Sequence, residues 1–432
     1  MSSSSSPPRP PATTQATKGC RPRVFPTSGF ELIDPGQLVE EERLPTYDRA
    51  AYYPMHLGDI VGGHFQVVAK LGYGTTSTVW LARDLNCTAA QPCTNGRSKE
   101  RVFKALKVHT HTAPFHHELS IYEHLQKPIE QEMEEDHPHP GRDHVRQLDE
   151  MFFVDGPHGR HAVFVMAPLG MSMATMQAMH RAHVFPPAMV AKAISQTLLG
   201  LALLHGGDIV HTDLHADNVL VAMTDDSILS TMEDSEAANK PSARKVVDRD
   251  TTIYTSRYVL GGAGPLTISD LGQASIGREL AGHAMPTQYR APEVILDMTW
   301  GMSVDIWSTG LLAWALLEPD NRFDVYDKDS PERNNAHHLA ALTALLGPPP
   351  KAFVERSSAC AQYWDADGHW HGPVPLPPAK PLADRVTADV GDAKQKALFV
   401  DFLECFLQWL PDERLKAAQI YFHPWLRGFD EV

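Results

Sequence analysis

The segment Ile209-Val-His-Thr-Asp-Leu-His-Ala-Asp-Asn-Val-Leu220 sets Asp213 and Asn218 five residues apart in a polar loop bracketed by apolar runs. The bracketing forces the loop to an edge of the core, where its polar groups converge on solvent. One carboxylate there can accept a hydroxyl proton, while a carboxamide and a second carboxylate can hold a hard cation. The second carboxylate is available in Thr267-Ile-Ser-Asp-Leu-Gly272, where Asp270 ends a short apolar run and Gly272 relieves the turn. Upstream, Leu71-Gly-Tyr-Gly-Thr-Thr-Ser-Thr-Val-Trp80 offers Gly72 and Gly74, which let backbone N–H groups approach a polyanion. Lys107 stands in the apolar run Ala105-Leu-Lys-Val108, and Glu118 follows eleven residues on in a helical stretch. A Lys on a strand and a Glu on the helix packed against it can pair and hold the ammonium toward phosphates. Each feature alone has an ordinary reading: a plain hairpin, a surface lysine, an Asp that caps a turn. Their order along one chain gives them joint weight.

The elements that must position these residues are legible in the hydrophobic periods. Phe65–Leu71, Thr78–Ala82 and Val102–Val108 read as strands, with two more near 148–154 and 162–167. A helix is expected from Pro114 to about Gln126. After Gly170 the period shifts from two to 3.6: Val190, Ile194, Leu198 and Leu201 share one helix face, and Gly206-Gly207 ends that helix. Further helices are expected over 303–317, 335–346, 395–409 and 416–421. Residues 222–265 are polar and of mixed charge and read as an insertion between two strands. The Pro-rich stretch 347–385 reads as loop.

The chain has 432 residues, 38 Lys+Arg against 53 Asp+Glu, and a formal net charge of -15. That balance argues against a nucleic-acid binder that works through overall basicity and suits basic protein partners. The five cysteines, at 20, 87, 93, 360 and 405, fit no zinc spacing. Cys87 and Cys93 share a polar loop and could pair, although reduced thiols are the simpler expectation. The Ser/Pro-rich start lacks the apolar core of a secretory signal, and no apolar run reaches the ~20 residues that a membrane helix needs. Residues 1–45 read as a disordered tail.

Taken in series, the Gly-rich turn, Lys107, Glu118, Asp213, Asn218 and Asp270 resemble the eukaryotic protein kinase superfamily, and Ala291-Pro-Glu293, Asp305-Ile-Trp307 and Arg414 agree. The resemblance covers about residues 64–426. His-Thr-Asp, Asp-Leu-Gly, Ser77 at the third glycine, Tyr289-Arg-Ala-Pro-Glu and the long insertion look most like the SR-protein kinases of the CMGC group, in particular the SR-kinase-like families of filamentous fungi. It implies an α+β, bilobal fold with a small β-rich N-lobe over 46–170 and a larger helical C-lobe over 171–432, carrying the insertion at 222–265. It also implies ATP and Mg2+. Lys107, oriented by Glu118, would hold phosphates; Asn218 and Asp270 would bind the metal; Asp213 would deprotonate the attacking Ser/Thr hydroxyl. Leu71, Gly72, Gly74, Val79, Ala105, Met166, Ala167 and Leu169 would surround the nucleotide, with the Ala167 C=O and Leu169 N–H facing adenine. Glu293 would pair with Arg414, and Asp305 would brace the catalytic-loop backbone.

Two positions depart from that pattern. His215 replaces the lysine two residues after the catalytic Asp, as a shorter group expected to be mostly neutral at pH 7. Pro286 replaces a Thr that usually bonds the same Asp, with Thr287 next door. A nucleotide-binding pseudokinase or scaffold is therefore a second reading. The string His-Thr-Asp-Leu-His-Ala-Asp-Asn also resembles small-molecule phosphotransferases, a third. The implied partners are protein substrates, including basic Arg/Ser-rich ones docked on an acidic groove near Asp327, Asp329 and Glu332. Neither nucleic acid nor membrane is expected as a direct partner, and a monomer in cytoplasm or nucleus is.

Overall fold

The computed structural model describes residues 20–87, 102–134, 138–318, 323, 325–328 and 330–429. Cys93, Asp329 and residues 1–19 lie outside them, and so does the Cys87–Cys93 pairing. The chain divides into two compact units: 1–111, 152–163 and 225–257 form the first, and 112–151, 164–224 and 258–432 the second.

The first unit is built on a sheet. Its strands are β1 (Ile60–Val61), β2 (Phe65–Tyr73), β3 (Ser77–Asp84), β4 (Phe103–His109), β5 (Leu148–Asp155) and β6 (Arg160–Met166), in the order β1-β2-β3-β4-β6-β5. The boundary between the units falls inside β5 and β6. Each strand expected from the sequence is present, with both ends within two residues of the expected positions. β2 and β3 are antiparallel with two register shifts, between Val67 and Ala69 and between Lys70 and Gly72. The second shift falls at the Gly-rich turn and is where an extra residue bends a strand.

The expectation of tail over 1–45 does not hold from Cys20 onward. The Arg23 backbone and the Gln66 carboxamide exchange two hydrogen bonds of 2.8 Å. Phe25 and Val39 are buried. Residues 40–43 form a 3-10 turn whose acids meet buried cations: Glu41 bonds Lys70, itself 1% exposed, and Glu42 bonds Lys245 at 2.8 Å. The reason composition misled is that this segment is held mainly by charge, with only sparse apolar anchors such as Phe25 and Val39.

The insertion is likewise ordered. Ser227–Asp234 is helical, and Arg244–Val246 pairs antiparallel with Thr252–Tyr254. Glu233, 1% exposed at its side chain, takes Arg23 at 3.0 Å and also Arg83 of β3. Arg244 stacks over Phe30 and Tyr254, 3.7 and 4.8 Å from the ring centres. Its backbone bridges Glu31–Ile33. The N-terminal segment and the insertion thus fold as one layer with β2 and β3.

The second unit is mainly helical: α1 (Phe115–Glu134), α2 (Pro187–Gly206), α3 (Ser303–Leu317), α4 (Asn334–Leu346) and α5 (Ala393–Glu404). Pro187 at the first turn starts α2 with its φ preset. Val190, Ile194, Leu198 and Leu201 are fully buried, as the 3.6 period demanded. Among the described residues α2 alone has the length and apolarity of a membrane span, contrary to expectation. More than half of that stretch is buried inside the protein, as in the core helix of a globular unit. A small sheet, with strands β7 (Leu169–Ser172), β8 (Val219–Ala222) and β9 (Leu266–Ile268), has β8 in the middle. The strands flanking the insertion, β8 and β9, pair directly. Arg414 and Glu293, both with fully buried side chains, form a bidentate pair at 2.6 and 2.8 Å.

A buried Lys that loses its close acid is destabilising, and without Glu41 Lys70 keeps only Glu40, at 3.5 Å; an exposed pair is worth little. Glu41→Ala is therefore expected to lower unfolding stability by about 3 kcal/mol in urea denaturation. Arg356→Ala, which breaks the exposed 2.8 Å pair with Asp412, should cost under about 1 kcal/mol. Equal effects would mean that the 20–45 segment does not stabilise the first unit.

Candidate active site

Asp305, in the first turn of α3, is fully buried and accepts three donors. The His211 backbone N–H reaches Oδ2 at 2.7 Å, that of Thr212 reaches Oδ1 at 2.8 Å, and His205 Nε2 lies 2.9 Å from Oδ2. Thr212 sits at φ 66, a conformation a β-branched residue adopts only when its surroundings compel it. The two N–H bonds to Asp305 supply that compulsion. The Thr212 hydroxyl then donates to the Gln273 carbonyl at 2.8 Å. Pairing of Ile209-Val210 with Ser275-Ile276 fixes the same two segments side by side.

Asp213 follows directly. Its backbone N–H donates to His211 Nδ1 at 3.2 Å, which leaves His211 Nε2 as donor to the Ser269 carbonyl at 3.1 Å. Asn218 Nδ2 donates to the Asp213 carbonyl at 2.9 Å and lies 3.2 Å from its Oδ2. This leaves Asn218 Oδ1 as an oxygen able to coordinate a cation. The Asn218 carbonyl accepts from Ser269 N–H at 2.8 Å, so Asn218 is tied to the residue just before Asp270. Asp270 adopts φ 63, and its carboxylate accepts from Gly272 N–H at 3.3 Å. A Cβ on Gly272 would sit 3.1 Å from that carboxylate and 3.7 Å from Glu118 Oε2, which places Glu118 of α1 next to the Asp270 turn. Oxygen donors from one carboxylate and one carboxamide fit a hard divalent cation. Asp213, Asn218, Asp270 and Glu118 are thus brought together within the second unit.

His215 differs from expectation. Burial alone would lower its pKa, but Asp213 and Asp217, at 3.6 and 3.5 Å, outweigh that and raise it to about 9. The group is cationic at neutral pH, so a charge stands where one was thought missing. Among the described residues no hydrogen bond joins Thr287 to Asp213, so Thr287 does not take over from the residue that Pro286 replaces.

The first unit arranges its own set. The β3/β4 register pairs Val79 with Lys107 and Leu81 with Ala105, so Val79, Ala105 and Lys107 share one face of the sheet. Gly72 pairs with Val79, and Leu71 precedes it on β2. Gly74 N–H donates to the Ser77 carbonyl at 2.8 Å, closing the turn, and Tyr52 hydroxyl donates to the Gly74 carbonyl at 2.9 Å. A Cβ on Gly72 would meet nothing within 4 Å, so the strand approach is open there.

Met166 ends β6, Ala167 is exposed and Leu169 begins β7. Behind them lies a residue the sequence reading passed over. Arg146 donates from Nη2 to the Ala167 carbonyl at 3.0 Å and from Nη1 to Ser269 Oγ at 3.3 Å. A single arginine entering a strand carries no local motif, so only the fold could reveal it. His205 and Asp217, partners of Asp305 and His215, were missed for the same reason. Of the acids expected to dock substrate, Asp327 is occupied internally: it bonds His337 at 2.8 Å and accepts from Ser330 N–H.

Comparison with known proteins gives these features a lineage. The protein kinase domain family matches residues 65–426. A serine/threonine protein kinase of Aspergillus fumigatus is 35% identical over 94% of this chain and 95% of its own length. A serine/threonine-protein kinase SRPK of Physarum polycephalum is 29% identical, covering 91% and 93%. An SRSF protein kinase 3 of Sus scrofa is 23% identical, covering 90% of each. A solved kinase domain aligns over 88% of this chain and all of its own with a TM-score of 0.59 at 19% identity, which speaks for the fold.

The raised His215 pKa has a definite sign. The imidazolium pairs stabilise the fold fully below the free value near 6.5 and lose that contribution as pH climbs through about 9. An NMR titration of the His215 ring should show its midpoint near 9. Asp217→Asn should move it down by at least about one unit. A wild-type midpoint near 6.5 would sink the ion-pair description.

Proposed function

Because the chain belongs to the protein kinase domain family, we propose a residue-level account of how it moves phosphate. The protein is an α+β serine/threonine protein kinase of the SR-kinase-like CMGC type. The observation that carries the account is the Asp305-braced loop, which holds Asp213 and Asn218 beside the Asp270 turn.

Asp213 orients the Ser/Thr hydroxyl and takes its proton. Its carboxylate is steadied by Asn218 Nδ2 and by the His215 cation, which limits its rotation toward other partners. Asn218 Oδ1 and the Asp270 carboxylate would hold Mg2+. Lys107 and the Gly72–Gly74 turn would hold the phosphates, and Glu118 would be the acid that orients Lys107. Leu71, Val79, Ala105 and Met166 provide apolar walls for the base, and the Ala167 carbonyl and Leu169 N–H provide its polar edge. When bound, MgATP supplies the γ-phosphoryl group and the charge neutralisation that the carboxylates alone cannot give. The protein's own part is positioning and exclusion of water. His215, as a cation close to Asp213, stands in for the lysine of related kinases.

For substrate, basic Arg/Ser-rich protein segments are the class we favour. The net charge of -15 and the relatives named for SR proteins support it. Since Asp327 is internally engaged, docking draws on the remaining exposed acids near it, Glu332 among them. We place the protein in the cytoplasm or nucleus and treat it as a monomer.

The test is transfer from labelled ATP with magnesium to an Arg-Ser repeat peptide and to a generic basic protein. Wild type should label both, the peptide with the higher kcat/KM, and Asp213→Asn should cut kcat by about 10²–10⁴-fold while ATP still binds. ATP binding without transfer by wild type would instead identify a non-catalytic module.

A further inference from the structure

Arg146 has an unusual setting for a guanidinium. Its backbone N–H donates to the Ile268 carbonyl at 2.8 Å, and the preceding Val145 bridges Ile268. This registers the residue against the strand that delivers Asp270. Its side chain spans from Ser269 Oγ to the Ala167 carbonyl. Nε is buried and, among the described residues, has no hydrogen-bond partner. Burial depresses its pKa, opposed by the fields of Tyr122, Asp270, Glu118 and Asp149. Tyr122, itself buried on α1, donates its hydroxyl to Met166 Sδ at 3.7 Å, closing the space behind Met166.

A guanidinium carries five N–H donors and no acceptor. Two are used here, on Ala167 and Ser269, and a buried charged donor left unmatched is costly. Nη2, which reaches the exposed Ala167 carbonyl, carries a second N–H at that same polar edge, where the base lies in the proposed function. Adenine brings an amino group at position 6 to such an edge. Its N–H groups would have to share the two lone pairs of the Ala167 carbonyl with Arg146 and would face guanidinium donors. A 6-oxopurine brings acceptors at O6 and N7 instead, the pair that an Arg fork reads bidentately. A site built to satisfy buried donors discriminates strongly against a ligand that leaves them unpaired.

We propose that Arg146 is a nucleobase-specificity residue that makes this kinase accept 6-oxopurine triphosphates, GTP and ITP, as phosphate donors alongside ATP. The proposal rests on the reading of Ala167 and Leu169 as the base-binding edge.

The experiment is calorimetric titration of the full-length protein with MgATP, MgGTP and MgITP, repeated with Arg146→Met, which keeps the apolar stem and removes the fork. Wild type should bind GTP and ITP within about 10-fold of ATP, and the variant should shift the ratio toward ATP by about 10–100-fold. ITP lacks the 2-amino group, so its binding with GTP assigns the effect to the 6-oxo edge. ATP binding with GTP and ITP at least 100-fold weaker in wild type overturns the proposal and leaves the base-binding edge standing. Failure of all three nucleotides to bind overturns that edge as well. An unchanged ratio in the variant, with all affinities lowered together, makes Arg146 a support for Ser269 and Ala167 only. The wild-type comparison alone decides the first outcomes, should the variant fold poorly.

Discussion

A carboxylate removed from water must be met by donors, and Asp305 is met by two backbone N–H groups of the loop it serves. That requirement fixes Thr212 in a left-handed conformation and sets the direction in which Asp213 leaves the turn. Everything downstream inherits the constraint. His211 reaches Ser269, Asn218 reaches both Asp213 and Ser269, and so the loop and the Asp270 turn become one assembly. The strain at Thr212 is offset by bonds that exist only in this arrangement.

The same rule shapes the first unit. Lys70, Lys245 and the acids Glu41, Glu233 and Glu236 are nearly or fully buried, and each meets an opposite charge at least 21 residues away along the chain. The N-terminal segment and the insertion therefore belong to the fold. Burying ion pairs is a poor source of net stability but makes the loss of one partner expensive. Correct docking of both segments is specified by charge where apolar patterning is sparse. His215 shows the same economy on a smaller scale: two flanking carboxylates keep a short imidazole cationic in the place of a long lysine.

The strands β2 to β6, helices α2 and α3 and the order of Asp213, Asn218 and Asp270 were legible because apolar period and local spacing encode them. Glu293 and Arg414 were legible only through family resemblance, since 121 residues separate them. What stayed hidden depends on long-range polar contact. Arg23 to Glu233, Lys70 to Glu41 and Arg146 to Ala167 leave no periodic trace. The expectation of tail over 20–45 failed for that reason, and the charge of His215 was misjudged because its sequence neighbours were not weighed as ion-pair partners.

The most direct test of this account is kcat of Asp305→Asn, with the folded state checked by circular dichroism and ATP affinity measured separately. An Asn offers one acceptor and one donor where two N–H groups need acceptors, so the loop loses its anchor while the charge-free side chain still fits. The account predicts a folded protein that binds ATP within a few-fold of wild type, with kcat reduced at least about 100-fold. A folded variant with near-wild-type kcat would contradict it, because Asp213 would then hold its place without the buried carboxylate.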